Sequence, residues 1–226
     1  MLLAYTHSLL LAVGCGLALL IFSGALTRRR FSDCYSFCLY QLALFVPQAL
    51  MEIRREEYYT RDFWLATETA HQVLKLAIVL ELSGRTLAAF PGARHTVRAA
   101  LLVVLLVLCA LLLATVEVPE YGHIVTDLMP RLMSGTVWLF CVLGLVIAWY
   151  RIPMTPLQKA VLLGFCVYLL LYAASLWLIA ALEWRFRASV NLGTALVYTG
   201  TQIYWAWAAW RPLAAVPPSA EPEALG

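Results

Sequence analysis

An all-α fold, a polytopic bundle of seven transmembrane helices, is what this sequence predicts, and three observations predict it. The chain is 63% hydrophobic and only 13% charged, with a mean hydropathy of +0.81, well outside the balance of a soluble globular domain. Seven stretches are apolar and long enough, at about 1.5 Å per residue, to cross about 30 Å of hydrocarbon: 7–26, 34–50, 64–84, 98–116, 132–150, 157–181 and 190–210. The connections leave no room for a soluble domain, so 1–211 reads as a single transmembrane domain and 212–226 as a short, polar, mobile tail.

Each element has its own signals. The residues before the first span contain no Lys or Arg, no small-residue cleavage site follows, and the span leads into Arg28, Arg29 and Arg30, so a retained helix is expected rather than a signal peptide. Gly14, Gly16 and Gly24 offer places for close helix contact. Ser32 or Asp33 is expected to cap the second span, which is the weakest because Gln41, Pro47 and Gln48 interrupt it. The connection MEIRREEYYTRDFW puts Tyr58, Tyr59, Phe63 and Trp64 at a rim suited to lipid headgroups, with a short surface helix among its charges.

Gly84 is expected to end the third span, and Pro91-Gly92 turns the chain into the fourth. That fourth span is apolar on every side and reads as a wall against lipid. The connection TVEVPEYGHIVTDLMPR is long enough to lie over a cavity mouth. Thr155, Pro156 and Gln158 spell the start of the sixth span: a threonine cap, a proline at the first helical position and a glutamine that closes a capping box. Pro212 stops the seventh.

The net charge of +3 is too small for nucleic-acid binding, and the basic residues sit mostly in connections. Arg28, Arg29, Arg30, Arg85, Arg94, Arg98, Arg151, Lys159 and Arg211 fall on one face; Arg54, Arg55, Arg61, Arg131, Arg185 and Arg187 fall on the other. Nine against six predicts an N-terminus outside and a C-terminus in the cytoplasm, with a bacterial inner membrane as the expected location. All of the cysteines, Cys15, Cys34, Cys38, Cys109, Cys141 and Cys166, lie in or beside apolar spans and read as small buried hydrophobes.

The leading functional feature is Glu68, His71 and Lys75, three ionisable residues on one face of the third span, at depths of roughly 6, 10 and 16 Å if the span begins near Trp64. Charge inside hydrocarbon is expensive and faces a bundle interior, where such a ladder can bind an ion or ligand or assist a proton step; its bland counterpart is a neutralised cluster that pins helices together. Asn191, Thr194, Tyr198, Gln202 and Trp205 recur at helical spacing on the seventh span, with Trp205 also a candidate interface anchor, and Tyr168, Tyr172 and Ser175 do so on the sixth. Facing stripes from these spans make a lined central pocket, although ordinary interhelical hydrogen bonding has the same pattern. Glu81, off the Glu68 face, is expected to pair with Arg85 or an arginine of a neighbouring connection.

No cofactor is expected. His71 alone among His7, His71, His95 and His123 lies well inside a span, so paired haem ligation has no second histidine at matching depth. Cys34 and Cys38 share a face, but no further cysteine or histidine pair completes a metal set. Neither HExxH nor a glycine-rich serine arrangement occurs, which points away from an enzyme.

Seven spans with an outside N-terminus resemble the broad architecture of rhodopsins, receptors and the membrane sensor regions of some bacterial kinases, in topology alone. Retinal-binding rhodopsins attach their chromophore to a lysine in the seventh helix, and NLGTALVYTGTQIYWAWAAW has none. No output domain is expected after residue 211. The function expected is a small sensory or ligand-binding membrane protein, or an accessory subunit that couples to a membrane or cytoplasmic protein partner through its inner connections. A small-molecule or ion transporter using the charged face is the alternative.

Overall fold

A computed structural model describes residues 2–86, 99, 129–181 and 187–212, and all its regular structure among the described residues is helical. We label the helices α1 (Leu2–Thr27), α2 (Tyr35–Ile53), α3 (Arg55–Tyr58), α4 (Arg61–Thr86), α5 (Met129–Trp149), α6 (Pro156–Ala181) and α7 (Arg187–Trp210), with a 3-10 turn at Phe31–Asp33. The span expected at 98–116, the long connection before α5 and the C-terminal tail lie outside the described residues. Tyr35–Ile53 and Pro156–Ser175 are long and apolar enough to cross a membrane, while Ala12–Thr27 and Gly135–Trp149 are apolar but shorter. Helix α4 is less apolar because it carries Glu68, Lys75, Glu81 and Arg85 along its length.

Among the described residues, six long helices close into a ring in the order α1, α2, α4, α5, α6, α7 and back to α1. Phe37, Phe140, Phe165 and Trp205 are fully buried at its centre, with Ile21, Ile78 and Leu82 packed around them. The outward faces expose Trp138, Leu145, Leu170 and Ile203, whereas Gln41, Gln72, Lys75 and Gln202 are buried. Exposed large apolar side chains and buried long polar ones thus occur together around an apolar core, whereas a soluble domain mostly exposes its long polar side chains.

Hydrogen bonds gather the turns at one end of the ring, called here the basic end. Helix α1 stops in a Schellman turn: the Arg30 amide donates to Ala25 O at 2.7 Å, the Arg29 amide donates to Leu26 O at 3.1 Å, and Arg29 is left-handed at φ 53°. The α5 terminus repeats it, with Ile152 donating to Ile147 O at 3.1 Å, Arg151 donating to Ala148 O at 3.3 Å, and Arg151 at φ 49°. The buried Arg30 guanidinium donates to Ala208 O at 2.7 Å and to Arg211 O, placing a cation on the carbonyl terminus of α7. Gln158 Nε2 donates to Asp33 O at 3.1 Å and ties α6 to the first turn.

Neither Ser32 nor Asp33 caps α2. Its N-cap is Cys34, with no side-chain cap bond of its own. Glu81 of α4 replaces it from across the interface, accepting the Tyr35 amide at 2.8 Å and the Ser36 amide at 2.7 Å while Arg85 binds the same carboxylate at 2.8 Å. A carboxylate has acceptors enough for all three. Burial holds the Asp33 carboxyl above its usual range, against the pull of Arg30, a hydrogen bond with Thr155, and Arg85. The expected capping box is present at α6: the Thr155 amide donates to Gln158 Oε1 at 3.1 Å and the Gln158 amide donates to Thr155 Oγ1 at 3.3 Å.

Gly84 lies inside α4 without a positive φ, so it does not end the helix as expected. Close approach in α1 belongs to Gly24 alone among its glycines, since an added Cβ at Gly14 or Gly16 would meet nothing within 4 Å. A Cβ at Gly24 would lie 2.6 Å from Trp210 Nε1, and that indole donates to Leu20 O at 2.9 Å. The arrangement recurs on α6, where Gly164 leaves the space Trp205 fills and the Trp205 indole donates to Ala160 O at 3.0 Å. In both cases the acceptor precedes the glycine by one turn. Helix α7 is thereby latched to both of its neighbours.

Candidate functional site

Pro47 explains the position of His71. Instead of breaking the second span, Pro47 sits inside a continuous α2, where its missing N–H deprives Ala43 O of its helical partner. His71 Nε2 lies 3.0 Å from Ala43 O and supplies that bond from α4. A carbonyl only accepts, so Nε2 carries the proton. The ring also packs edge-on against Tyr40, with centroids 5.9 Å apart.

The rest of the predicted ladder is partly joined. Glu68 Oε1 accepts from Gln72 Nε2 at 2.8 Å, and Glu68 Oε2 stands 3.7 Å from His71 Nδ1, an electrostatic contact beyond hydrogen-bond range. Lys75 is only 4% exposed, and among the described residues it makes neither a hydrogen bond nor an ion pair; Glu68 is the charge that opposes it.

Helices α6 and α7 bring a tyrosine cluster to this face. Tyr168 packs on Tyr198 at 4.9 Å and on Tyr172 at 5.9 Å between ring centroids. Gln202 Nε2 donates to the Tyr198 hydroxyl at 2.7 Å, and that hydroxyl is also hydrogen-bonded with Tyr40. Glu68 lies within electrostatic reach of Tyr40, Tyr168 and Tyr172. Thus Glu68, His71, Lys75, Tyr168, Tyr172, Tyr198 and Gln202 converge.

Four predicted residues do not join them. Asn191 is exposed. The Thr194 hydroxyl donates to Val190 O at 2.9 Å and the Ser175 hydroxyl to Tyr172 O at 2.7 Å, so both are spent on their own helices. Trp205, expected on the polar stripe or as an interface anchor, is fully buried in the aromatic core. Its indole is already committed to Ala160 O.

Tyr40 and Gln72 are members that sequence reasoning missed, and Gln41, buried one turn from Phe37, is a polar group it also passed over. Gln41 read as an interruption of an apolar span, yet a polar side chain buried in such a span was itself the available signal. Gln41 Nε2 and Oε1, Gln72 Oε1 and Gln202 Oε1 have no hydrogen-bond partner among the described residues. Each such group costs about 1–3 kcal/mol when left unpaired. A cavity of about 130 Å³ reaches Tyr198, Gln202 and Gln48 between α1, α2 and α7, with room for several waters or a few ligand atoms.

An apolar layer closes the cluster toward the basic end. One turn below each polar group stands a packed hydrophobe: Phe37 below Gln41, Ile78 and Val79 below Lys75, Phe165 below Tyr168, Trp205 below Gln202, and Phe140 below Thr136. Phe165 organises the layer, with ring centroids 4.8 Å from Phe140, 4.7 Å from Trp205 and 5.3 Å from Tyr40. The buried glutamines, Lys75 and the tyrosine cluster therefore lie on one side of a layer built from Phe37, Phe140, Phe165 and Trp205. No protein-family model, curated protein or solved structure matches this chain.

Proposed function

We propose that this chain is a seven-helix integral membrane protein that binds a small polar ligand in the half of the bundle away from its basic end, and acts as a sensor or accessory subunit. The observation that carries the reading is the burial, on the polar side of the aromatic layer, of Lys75 and of three glutamines, of which Gln41 Nε2 and Oε1, Gln72 Oε1 and Gln202 Oε1 have no hydrogen-bond partner among the described residues. A ligand with an acceptor-rich, anionic group toward Lys75 and Gln41 Nε2, and donors toward the glutamine oxygens, answers that set.

The exposed apolar faces support embedding in a bilayer, and the clustering of turn arginines supports the basic end as the cytoplasmic side. An inner membrane of a bacterium suits that orientation. The aromatic layer favours binding over conduction, because a permeating ion would have to pass Phe37, Phe140, Phe165 and Trp205.

The test is native mass spectrometry of protein extracted with its lipids, comparing wild type with Lys75→Met. A small molecule bound to wild type and lost from the variant, with the variant's unfolding stability retained or raised, supports the proposal. Lys75 makes no ion pair with Glu68, which keeps its hydrogen bond from Gln72 when the lysine is replaced. No bound molecule together with a destabilised variant makes Lys75 a structural residue and sinks the reading. So does Lys75-dependent flux across liposomes, which would make the protein a transporter.

A further inference from the structure

We infer that the groove between α5 and α6 holds an anionic phospholipid, its phosphate against Arg151 and Lys159 and an acyl chain along the apolar wall. This rests only on the bilayer placement proposed above and is independent of the interior ligand.

The groove encloses about 650 Å³ and runs from Arg151, Met154 and Lys159 past Gly144 and Leu163 to Cys166. Its size lies in the ~300–1,000 Å³ range that accommodates a sizeable apolar ligand. Its wall is hydrocarbon and thiol, with both cations at the basic end, so the charge is distributed as in a phospholipid: anionic head at the water, apolar chain along the helices. Gly144 brings the α5 backbone close to α6 along this wall, where an added Cβ would touch Cys166 Sγ at 3.5 Å.

Both cations are available. Arg151 and Lys159 are exposed, and neither side chain makes an ion pair or hydrogen bond among the described residues. Arg30 and Arg85, by contrast, are engaged by carbonyls and by Glu81. Arg151 also occupies the left-handed position of its Schellman turn, at φ 49°, where glycine is the less strained residue. An arginine here sets a cation at the mouth of the groove against the preference of the backbone.

That conflict supplies the experiment. The full chain is purified in neutral detergent and its thermal unfolding followed alone, with phosphatidylglycerol, with phosphatidylcholine, and with inorganic phosphate. Wild type is expected to gain several degrees from phosphatidylglycerol and little from the other two. Arg151→Gly is expected to unfold at a higher temperature than wild type in detergent alone, yet to lose most of the phosphatidylglycerol increment; Lys159→Gln should lose part of it. Equal protection by phosphatidylcholine or by inorganic phosphate, or an undiminished increment in Arg151→Gly, overturns the lipid site. Extraction of the protein from membranes by alkaline carbonate would overturn the bilayer placement itself, and with it this site.

Discussion

If His71 serves the carbonyl that Pro47 leaves open, the two residues must be energetically coupled although they lie on different helices. Replacing Pro47 with alanine restores an amide that can donate to Ala43 O within α2. His71→Phe keeps a ring against Tyr40 and removes the donor. In the wild-type background this strands Ala43 O; in the Pro47→Ala background it does not. Loss of the Glu68 contact occurs in both backgrounds and cancels in the cycle. Interhelical hydrogen bonds in membrane proteins contribute about 0.6 kcal/mol on average and up to about 1.7 kcal/mol. His71→Phe should therefore cost about 0.6–1.7 kcal/mol more with proline at 47 than with alanine. Reversible unfolding of the four proteins in mixed micelles, followed by far-ultraviolet circular dichroism, measures the difference. A carbonyl has two lone pairs, so His71 and a restored amide are able to share Ala43 O. An equal cost in both backgrounds would mean that they do, and that the proline does not account for the histidine.

Further outcomes follow from other contacts. Gly164→Ala should destabilise by about 1–3 kcal/mol through overpacking against Trp205, whereas Gly200→Ala, with nothing within 4 Å of its Cβ, should be neutral or stabilising; thermal unfolding of both variants checks this. Glu81→Ala should cost about 0.5–2 kcal/mol by uncapping α2, with hydrogen exchange accelerated first at Tyr35 and Ser36. Asp33 has a folded pKa raised above its unfolded value of 3.8, so its contribution favours the fold below that value and is lost as pH rises through the folded pKa. Asp33→Asn should accordingly raise stability at neutral pH and flatten the pH profile, which unfolding from pH 3 to pH 7 would measure.

Much of the candidate site was legible in local spacing, but its assembly was not. Glu68, His71 and Lys75 announce one helical face because side chains three and four apart lie together. The same rule grouped Asn191, Thr194 and Trp205 with Tyr198 and Gln202, and there it overreached. Periodicity assigns residues to a face but not to a depth or a neighbour: Asn191 is exposed near the start of α7, while Trp205 is latched to α6. Caps show the same division. The Thr155–Gln158 box is local in sequence and readable, whereas the cap of α2 is Glu81, separated from Tyr35 by 46 residues.

From composition and periodicity alone came the helical class, the apolar character of the chain, the gathering of arginines in its turns and the polar face of α4. These properties belong to single segments, and the free energy of burying or exposing a side chain is written in its type. Tertiary structure decided which donor meets which acceptor: His71 with the carbonyl left by Pro47, Glu81 with the amides of α2, tryptophans with the glycines that make room for them. Hydrogen bonds act over about 3 Å between groups far apart along the chain, and only ring closure brings them within that distance.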